Sequence, residues 1–414
     1  NKEFLNKRYK KEKRFILLGR VAVSLTIIFL VILLGSILLK GISGFYTTNI
    51  FLQTNLSQEI IDPEDKKNVE EIYKSSWRKV ARNSIYDVLS AFNKSKNIDK
   101  ISRKDKRDFL KLFSRSSEFY IRDFTLENLD SIGKEVKISI PSSSLVDQFL
   151  KGKINIAVNE DDRPINDKQV SWINFMVENK MIERKFNINF FYKGDSRNAE
   201  EAGILGAIVG SFFVILVAII VAFPVGVMSA IYLEEVAPKN KITNIIEVNI
   251  NNLAAVPSIV FGLLGLAIFL NFFGLPRSSP LAGGLVLALM TLPTIIISSR
   301  VAIKSVPPSI REAAMGIGAS KMQSVFHHVI PLAVPGILTG TIIGMARALG
   351  ETAPLLMMGM VAFIVDVPQG ITDPSTVLPA QIFLWSDQPE RGFEEKTAAA
   401  TIILLVFLLT MNAL

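Results

Sequence analysis

Residues 309–356 read SIREAAMGIGASKMQSVFHHVIPLAVPGILTGTIIGMARALGETAPLL, and the interpretation of the whole chain starts from this stretch. Its first half is polar and amphipathic, and Gly316 and Gly318 predict a turn there. Its second half is apolar over the length of a membrane-spanning helix and carries two charged residues, Arg347 and Glu351. The pattern predicts a polar segment outside the membrane that continues directly into a charged span.

The composition narrows the class of protein. The 414 residues have a net charge of +8, no cysteine and two histidines. The absence of cysteine excludes a disulfide framework and a thiol nucleophile. Apolar residues collect in runs of about 20, the length that a membrane span needs, so we predict an all-α polytopic membrane protein. No nucleophile–base pair or metal cluster can be assembled, and we expect no catalytic residues, no metal site and no cofactor.

The apolar runs predict six transmembrane helices. We place them at residues 15–40, 202–233, 252–273, 281–303, 329–349 and from 397 to the end. Residues 1–14, NKEFLNKRYKKEKR, are strongly basic and are predicted to lie in the cytosol by the positive-inside rule. This arrangement predicts a multi-pass protein of the bacterial inner membrane with both termini in the cytoplasm. The surplus positive charge suits anionic lipid rather than nucleic acid. We also expect further residues beyond both ends of the sequence, which starts without Met and stops inside an apolar run.

A long polar stretch, residues 45–198, interrupts the apolar runs and predicts an external α+β insert domain, periplasmic in this topology. We expect a helix that begins at Asp62 and Pro63, because an acidic cap followed by proline is typical of helix starts. Alternating apolar residues predict three strands, at 136–140, 154–156 and 186–190. The remainder, residues 202–414, is predicted to form a core with five transmembrane helices and a cytosolic coupling loop at 305–328.

Small residues in the predicted spans indicate where helices approach each other. Glycines lack a side chain and let neighbouring backbones come close inside a membrane. We therefore predict close helix packing at Gly262, Gly265, Gly283 and Gly284.

The polar segment contains a spaced motif. Its members are Glu312, Ala313, Ala314, Gly318 and Pro331. The spacing resembles the E-A-A loop, EAA-x3-G-x9-I-x-L-P, of the permeases of binding-protein-dependent ABC importers. His328 and Ile330 replace the Ile and the Leu of that pattern. In that family the loop seats in a groove of a cytosolic ATPase, so the resemblance implies a coupling role for Glu312, Ala313, Ala314 and Gly318.

Further runs resemble the permease subunits of the phosphate-specific importers within that family. They are LPTIIISSR at 292–300, PGILTG at 335–340 and GMARALGETAPLL at 344–356. The resemblance covers residues 15–40 and almost all of 202–414. It implies the type I permease fold, and import of inorganic phosphate from the periplasm to the cytoplasm by a non-catalytic subunit. It also implies three partners: a second permease PstC, an ATPase PstB that hydrolyses ATP, and a phosphate-binding protein PstS.

Arg347 and Glu351 lie four residues apart, so we predict that they share one face of a helix. Charged residues inside spans are rare and usually face a bundle interior or water. The resemblance implies that this pair lies on the substrate pathway. Two alternative functions stay open: a permease for another oxyanion, sulfate or molybdate, and a membrane sensor with an external domain.

Overall fold

The computed structural model describes residues 2–65, 67–98 and 101–413. Asn1 and Leu414, the outermost residues of the predicted N-terminal segment and core, lie outside this part of the chain. Within the described residues, five helices are long and apolar enough to cross a membrane, and a bent pair of helices would make a sixth span. The prediction of about six transmembrane helices is confirmed.

The first helix, α1 (Lys2–Gly44), combines the predicted basic N-terminus and the first span in one continuous helix. The insert follows it with three strands, β1 (Tyr46–Asn55), β2 (Glu135–Pro141) and β3 (Ile182–Phe186). They form one antiparallel sheet in the order β2-β1-β3. The insert helices are α2 (Gln58–Ile61), α3 (Val69–Tyr73), α4 (Trp77–Ser95), α5 (Arg103–Leu110), α6 (Ser117–Glu127), α7 (Ser144–Leu150), α8 (Asp167–Glu178) and α9 (Asn189–Tyr192).

The core contains ten further helices among the described residues. They are α10 (Leu205–Ile231), α11 (Lys241–Ala254), α12 (Ser258–Gly265), α13 (Pro280–Ser305), α14 (Pro308–Gly316), α15 (Lys321–Ser324), α16 (Ile330–Gly350), α17 (Ala353–Met357), α18 (Leu378–Ser386) and α19 (Gly392–Ala413). Three stretches are π-helical. Tyr232–Val236 continues α10, Leu266–Phe272 continues α12, and Val325–Val329 precedes α16.

The insert has a hydrophobic core of its own. The amphipathic helix α4 packs against β1 of the sheet and against α8, and Ile50 and Leu52 of β1 are fully buried. The ring centroids of Phe109 and Trp172 lie 5.3 Å apart in an edge-to-face arrangement. Such aromatic pairs add to the stabilisation that comes from burial alone.

Part of the sequence prediction for the insert is wrong. Asp62 follows α2 as its C-cap, and the next helix begins at Val69 with Asn68 as its N-cap. The strand predicted at 154–156 is a turn, and at 186–190 β3 ends at Phe186 and α9 begins at Asn189. The strand at 136–140 is confirmed by β2. Alternation marks a side that is buried, but a strand also needs a neighbouring strand to satisfy its backbone.

The prediction that residues 252–273 form a single helix is also wrong. The chain breaks after α11, and α12 starts at Ser258 at an angle of 100° to α11. Pro257 explains the break: it has no backbone N–H to continue α11, and it disfavours helical geometry at Val256. We call α11, the break and α12 with its π-helical continuation the elbow.

The predicted close packing at glycines is confirmed. A Cβ atom on Gly284 would lie 2.6 Å from Val217 Cβ, and one on Gly262 would lie 2.7 Å from Pro354 Cα. Gly283 and Gly265 likewise abut Met360 and Val286. The helices therefore approach so closely that a methyl group does not fit at the contact points.

Buried charges join the insert to the core. Lys151, at the end of α7, is 7% exposed and lies 2.7 Å from Glu395 and 2.6 Å from Asp147. Its ammonium group also donates to the carbonyl oxygens of Ser43 and Tyr46, both at 3.0 Å. Glu395, in the first turn of α19, is only 3% exposed. Lys151 therefore links α1, the insert and α19 at one point.

A second contact strengthens this junction. The Glu201 carboxylate accepts hydrogen bonds from Tyr120 at 3.2 Å and from Lys193 at 2.9 Å. Burial, together with the charge of Glu201, raises the pKa of Tyr120 to about 12. The Tyr120 hydroxyl consequently stays protonated and remains a donor between the insert and the segment that leads into α10.

The substitution Lys151→Met tests this junction. It leaves Asp147 and Glu395 with reduced pairing in a buried position, and breaking a buried ion pair typically costs about 3 kcal/mol or more of unfolding free energy. We expect a lower melting temperature of the purified protein. We also expect faster proteolytic cleavage of the chain near the contact of the insert with α19. Lys185→Met is the matched control, because the pair of Lys185 with Glu183 is exposed on both sides. Equal melting temperatures for the two variants would contradict the assigned role of Lys151.

Candidate functional site

We call residues 305–328, the predicted cytosolic coupling loop, the coupling segment. It consists of helix α14, a tight turn and helix α15. Helix α14 ends at Gly316, and the chain turns at Gly318, whose φ is +97°. Gly318 N donates to Met315 O at 2.9 Å and Ala319 N donates to Ala314 O at 3.0 Å, the bond pattern of a Schellman motif. The turn predicted at Gly318 is confirmed, whereas Gly316 is still the last residue of the helix. A left-handed backbone at this position favours glycine because no Cβ has to be accommodated.

The chain then re-enters a helix in a defined direction. Ser320 caps α15: its hydroxyl accepts from Gln323 N at 3.3 Å, and the Gln323 side chain accepts from Ser320 N at 2.8 Å. The π-helical stretch before α16 lies next to Pro331, which cannot donate to a carbonyl in the preceding turn. The segment therefore runs without a loop from the turn into the span.

The outer surface of the coupling segment is free. Glu312 and Ala313 are exposed, while Ala314 is buried against the core. Ile317 is 85% exposed at the tip of the turn, and Met315 and Met322 beside it are nearly half exposed. An apolar tip flanked by a carboxylate is a surface suited to a protein partner.

A residue that the sequence analysis did not single out for this role anchors the coupling segment. Arg311 Nη2 lies 2.6 Å from Glu235 Oε1, just beyond α10, and 3.0 Å from the carbonyl oxygen of Ile303 near the end of α13. Its Nη1 also donates to Val306 O at 2.7 Å. One guanidinium therefore ties α14 to the ends of two core helices. The signal in the sequence was the pair Glu234-Glu235 in an otherwise short polar connection.

Arg300 occupies a neighbouring ion-pair cluster. It lies 2.8 Å from Glu247 of α11 and 3.4 Å from Glu234. Arg300 therefore connects α13 to the helices on either side and already has two carboxylate partners.

Arg347 and Glu351 come together at the far end of α16. Arg347 Nε lies 3.7 Å from Glu351 Oε1, and the arginine side chain is 62% exposed. Glu351 is not part of the helix as predicted, because α16 ends at Gly350 and Glu351 has extended backbone. Pro354 explains this end, since it has no N–H for the carbonyl of Gly350. The pair is loose, and most of the guanidinium is free to meet another group.

A small cavity adjoins Arg347. It lies between the elbow, α13 and α16, and its polar side chains are Ser258, Thr291, Thr294 and Arg347. Leu253, Ala254 and Val256 of the elbow line one side. Arg347 was predicted from the sequence as a pathway residue. Ser258, Thr291 and Thr294 were not, because they lie on two other helices and no spacing along the chain relates them to Arg347.

The described residues contain no group of three or more His, Asp and Glu side chains arranged to hold a metal ion. The candidate site thus consists of two parts, the coupling segment at one end of α16 and the Arg347 cavity near its other end.

Two family profiles match the chain. Residues 222–414 match the binding-protein-dependent transport system inner membrane component family. Residues 2–160 match a domain of unknown function (DUF3333). The first match contains the coupling segment and the Arg347 cavity, and the second contains α1 and most of the insert.

The chain is similar in sequence to proteins described as permeases. The chain is 31% identical to the phosphate transport system permease protein PstA of Yersinia pestis over 243 residues, 59% of this chain and 81% of that protein. It is 34% identical to the probable ABC transporter permease protein YqgI of Bacillus subtilis (strain 168) over 172 residues, 42% of this chain. That match spans 58% of the length of the relative, somewhat over half.

Among solved structures, an amino acid ABC transporter crystallised with histidines is matched at 21% identity, with a TM-score of 0.39, over 50% of this chain and 88% of that one. The sequence matches show the family, since the chain covers 81% of the length of the Yersinia pestis protein at 31% identity. The chain belongs to the binding-protein-dependent transport system inner membrane components, as a relative of the PstA permeases, and has their helical membrane core with an inserted α+β domain.

Proposed function

We propose that the chain is the PstA-type permease subunit of an ABC importer that moves inorganic phosphate from the periplasm to the cytoplasm. ATP hydrolysis takes place in a separate subunit, and this chain has no catalysis of its own. The observation that carries the proposal is the similarity to PstA of Yersinia pestis over 81% of that protein. An exposed coupling segment and an arginine beside a polar cavity in the same chain support it.

The coupling segment receives the motion of the ATPase. Ile317 inserts into the partner, Ala313 lets its surface approach closely, and Glu312 pairs with a basic residue there. Ala314 seats the helix on the core, and Gly318 sets the angle of the turn. Because Arg311 binds Glu235 and the end of α13, displacement of α14 is transmitted to α10 and α13 without a flexible link.

Arg347 offers a fixed cation to the anion that arrives from the binding protein. Glu351 occupies the guanidinium at rest and keeps the site from holding a dianion too tightly for release. The long N···O distance of 3.7 Å suits this role, since a loose pair is easily exchanged for a substrate oxygen.

The partners are a second permease PstC, the ATPase PstB, the phosphate-binding protein PstS and membrane lipid. Arg347 is 62% exposed in the isolated chain, so the pathway is completed by another subunit. Helix α1 has no buried residue in its most apolar window, and Ile242 and Ile245 of α11 are more than half exposed. These faces suit lipid and the second permease.

The protein lies in the bacterial inner membrane with both termini in the cytoplasm and the insert in the periplasm. Helix α10 supports this arrangement: the insert joins its first residue, and Glu235 beyond its last contacts the coupling segment. Its 27 residues span about 40 Å at 1.5 Å per residue, more than a hydrocarbon core of about 30 Å. The insert and the coupling segment are therefore on opposite sides of the membrane.

Single cysteines test the orientation, since the chain has none of its own. Ser102 in the insert and Ser309 in the coupling segment are both exposed. We expect Ser102→Cys to react with an impermeant thiol reagent in cells whose inner membrane is intact. Ser309→Cys is the matched control and should react only after that membrane is opened. The reverse pattern would refute the orientation.

Gly318→Val tests the coupling role. Valine is strained at a φ of +97°, so the turn moves and uptake should fall at least about tenfold at unchanged subunit levels. Gly316→Val is the matched control, because Gly316 has helical backbone and a Cβ there would meet nothing within 4 Å. Glu312→Lys should abolish stimulation of the ATPase by reversing an exposed charge. Wild-type phosphate uptake by Gly318→Val and Glu312→Lys would remove the segment from the mechanism.

Arg347→Gln tests the pathway. We expect uptake of phosphate into proteoliposomes to be lost at normal assembly, because the cation is removed. Arg347→Lys should restore only part of it, since lysine lacks the planar fork of donors. Glu351→Gln should change the transport rate rather than expression. The control is Arg277→Gln, an exposed arginine that does not line the cavity. Full uptake by Arg347→Gln, or uptake of sulfate or molybdate instead of phosphate by the wild type, would overturn the proposal.

A further inference from the structure

The elbow breaks the helical backbone at the edge of the helix bundle, where Ala255 and Pro257 are exposed. Such breaks are tolerated within a membrane only where protein buries them or where they line a polar cavity. Here the residues on both sides of the break line the cavity that also contains Arg347. Pro257 makes the break a permanent feature of the chain, because it has no N–H to repair the helix.

Two hydroxyl groups in this cavity have no hydrogen-bond partner among the described residues. Thr291 donates to the carbonyl oxygens of Leu287 and Ala288 in its own helix. The hydroxyls of Ser258 and Thr294, in contrast, form no hydrogen bond with any residue that the structure describes. Both residues line the same cavity as Arg347. A guanidinium and two unused hydroxyl donors on three different helices can together surround a small oxyanion.

The cavity is narrow in this conformation. It has room for about 10 Å³ of solvent, roughly one water molecule, so an oxyanion with four oxygens does not fit. Helices α13 and α16 are closely packed, since a Cβ on Gly336 would lie 2.8 Å from that of Ala302. The elbow forms the remaining wall, and its residues Leu253 and Ile259 are more than 40% exposed. Opening therefore moves the elbow.

We propose that Ser258 and Thr294 are substrate-binding residues that complete an oxyanion site with Arg347, and that the elbow opens and closes this site. The inference rests on the proposed phosphate transport and adds the groups that hold the anion within the membrane. Thr294 is fixed to the α13–α16 pair, while Ser258 moves with the elbow. The anion is therefore fully coordinated only when the elbow is closed around it.

The test uses the assembled importer in proteoliposomes with phosphate-loaded binding protein. Thr294→Val keeps the shape of the side chain and removes the hydroxyl, and the maximal rate of phosphate uptake should fall about tenfold, the effect of losing one hydrogen bond to a charged group. Thr294→Ser retains the hydroxyl and should restore most of the rate. Ser258→Ala should cause a loss similar to that of Thr294→Val.

Thr339→Val is the matched control, because Thr339 is exposed on α16, bonds Pro335 O and does not line the cavity. A packing role for Thr294 predicts that Thr294→Ser is no better than Thr294→Val, which would overturn the inference. Uptake at the wild-type rate by Thr294→Val would also overturn it.

The outcomes separate this inference from the proposed function. If Arg347→Gln abolishes uptake while Thr294→Val and Ser258→Ala do not reduce it, only the assignment of the hydroxyls fails. If the wild-type complex does not transport phosphate, the proposed function itself fails.

Discussion

The close packing of α10 against α13 is the contact on which the rest of the core depends. A Cβ on Gly284 would lie 2.6 Å from Val217, and one on Gly226 would lie 2.7 Å from Ile295. Within lipid, apolar helices gain little from leaving their surroundings, so close contacts of this kind hold a bundle together. Arg311 joins the neighbouring ends of these two helices. It contacts Glu235, just beyond α10, and donates to the carbonyl oxygen of Ile303 near the end of α13.

Helix α13 connects the two parts of the site. Its last turn accepts hydrogen bonds from Arg311, and Thr294 lies about 14 Å back along the same helix at 1.5 Å per residue. Under the proposed coupling role, α13 passes a displacement of α14 to the cavity beside Arg347. The elbow contacts α13 through Arg300 and Glu247 and is broken at Pro257, which allows it to respond differently from the rest of the bundle.

The insert is joined to the core rigidly. Lys151 meets Glu395, Asp147 and two backbone carbonyl oxygens within a buried junction, and Trp385 donates to Asp195 at 2.8 Å on the neighbouring side. A domain held only by its two chain connections would turn freely, whereas buried charges resist separation because neither partner can regain water cheaply. The insert therefore follows the positions of α1 and α19.

The sequence by itself determined the features that depend on neighbouring residues along the chain. Apolar runs located the spans, because the thickness of the membrane sets their length. The spacing from Glu312 to Gly318 predicted a coupling role for that segment, and Gly318 marked its turn, since only glycine takes that backbone without strain. Tertiary structure decided what depends on distant residues. Ile154 and Ile156 alternate as in a strand, yet no strand among the described residues pairs with them. Pro257 divided a run that hydropathy reads as continuous, because hydropathy does not register a missing N–H. The contacts of Arg311 with Glu235, and of Ser258 and Thr294 with the Arg347 cavity, bring together residues from separate helices, and only the packing of those helices places them side by side.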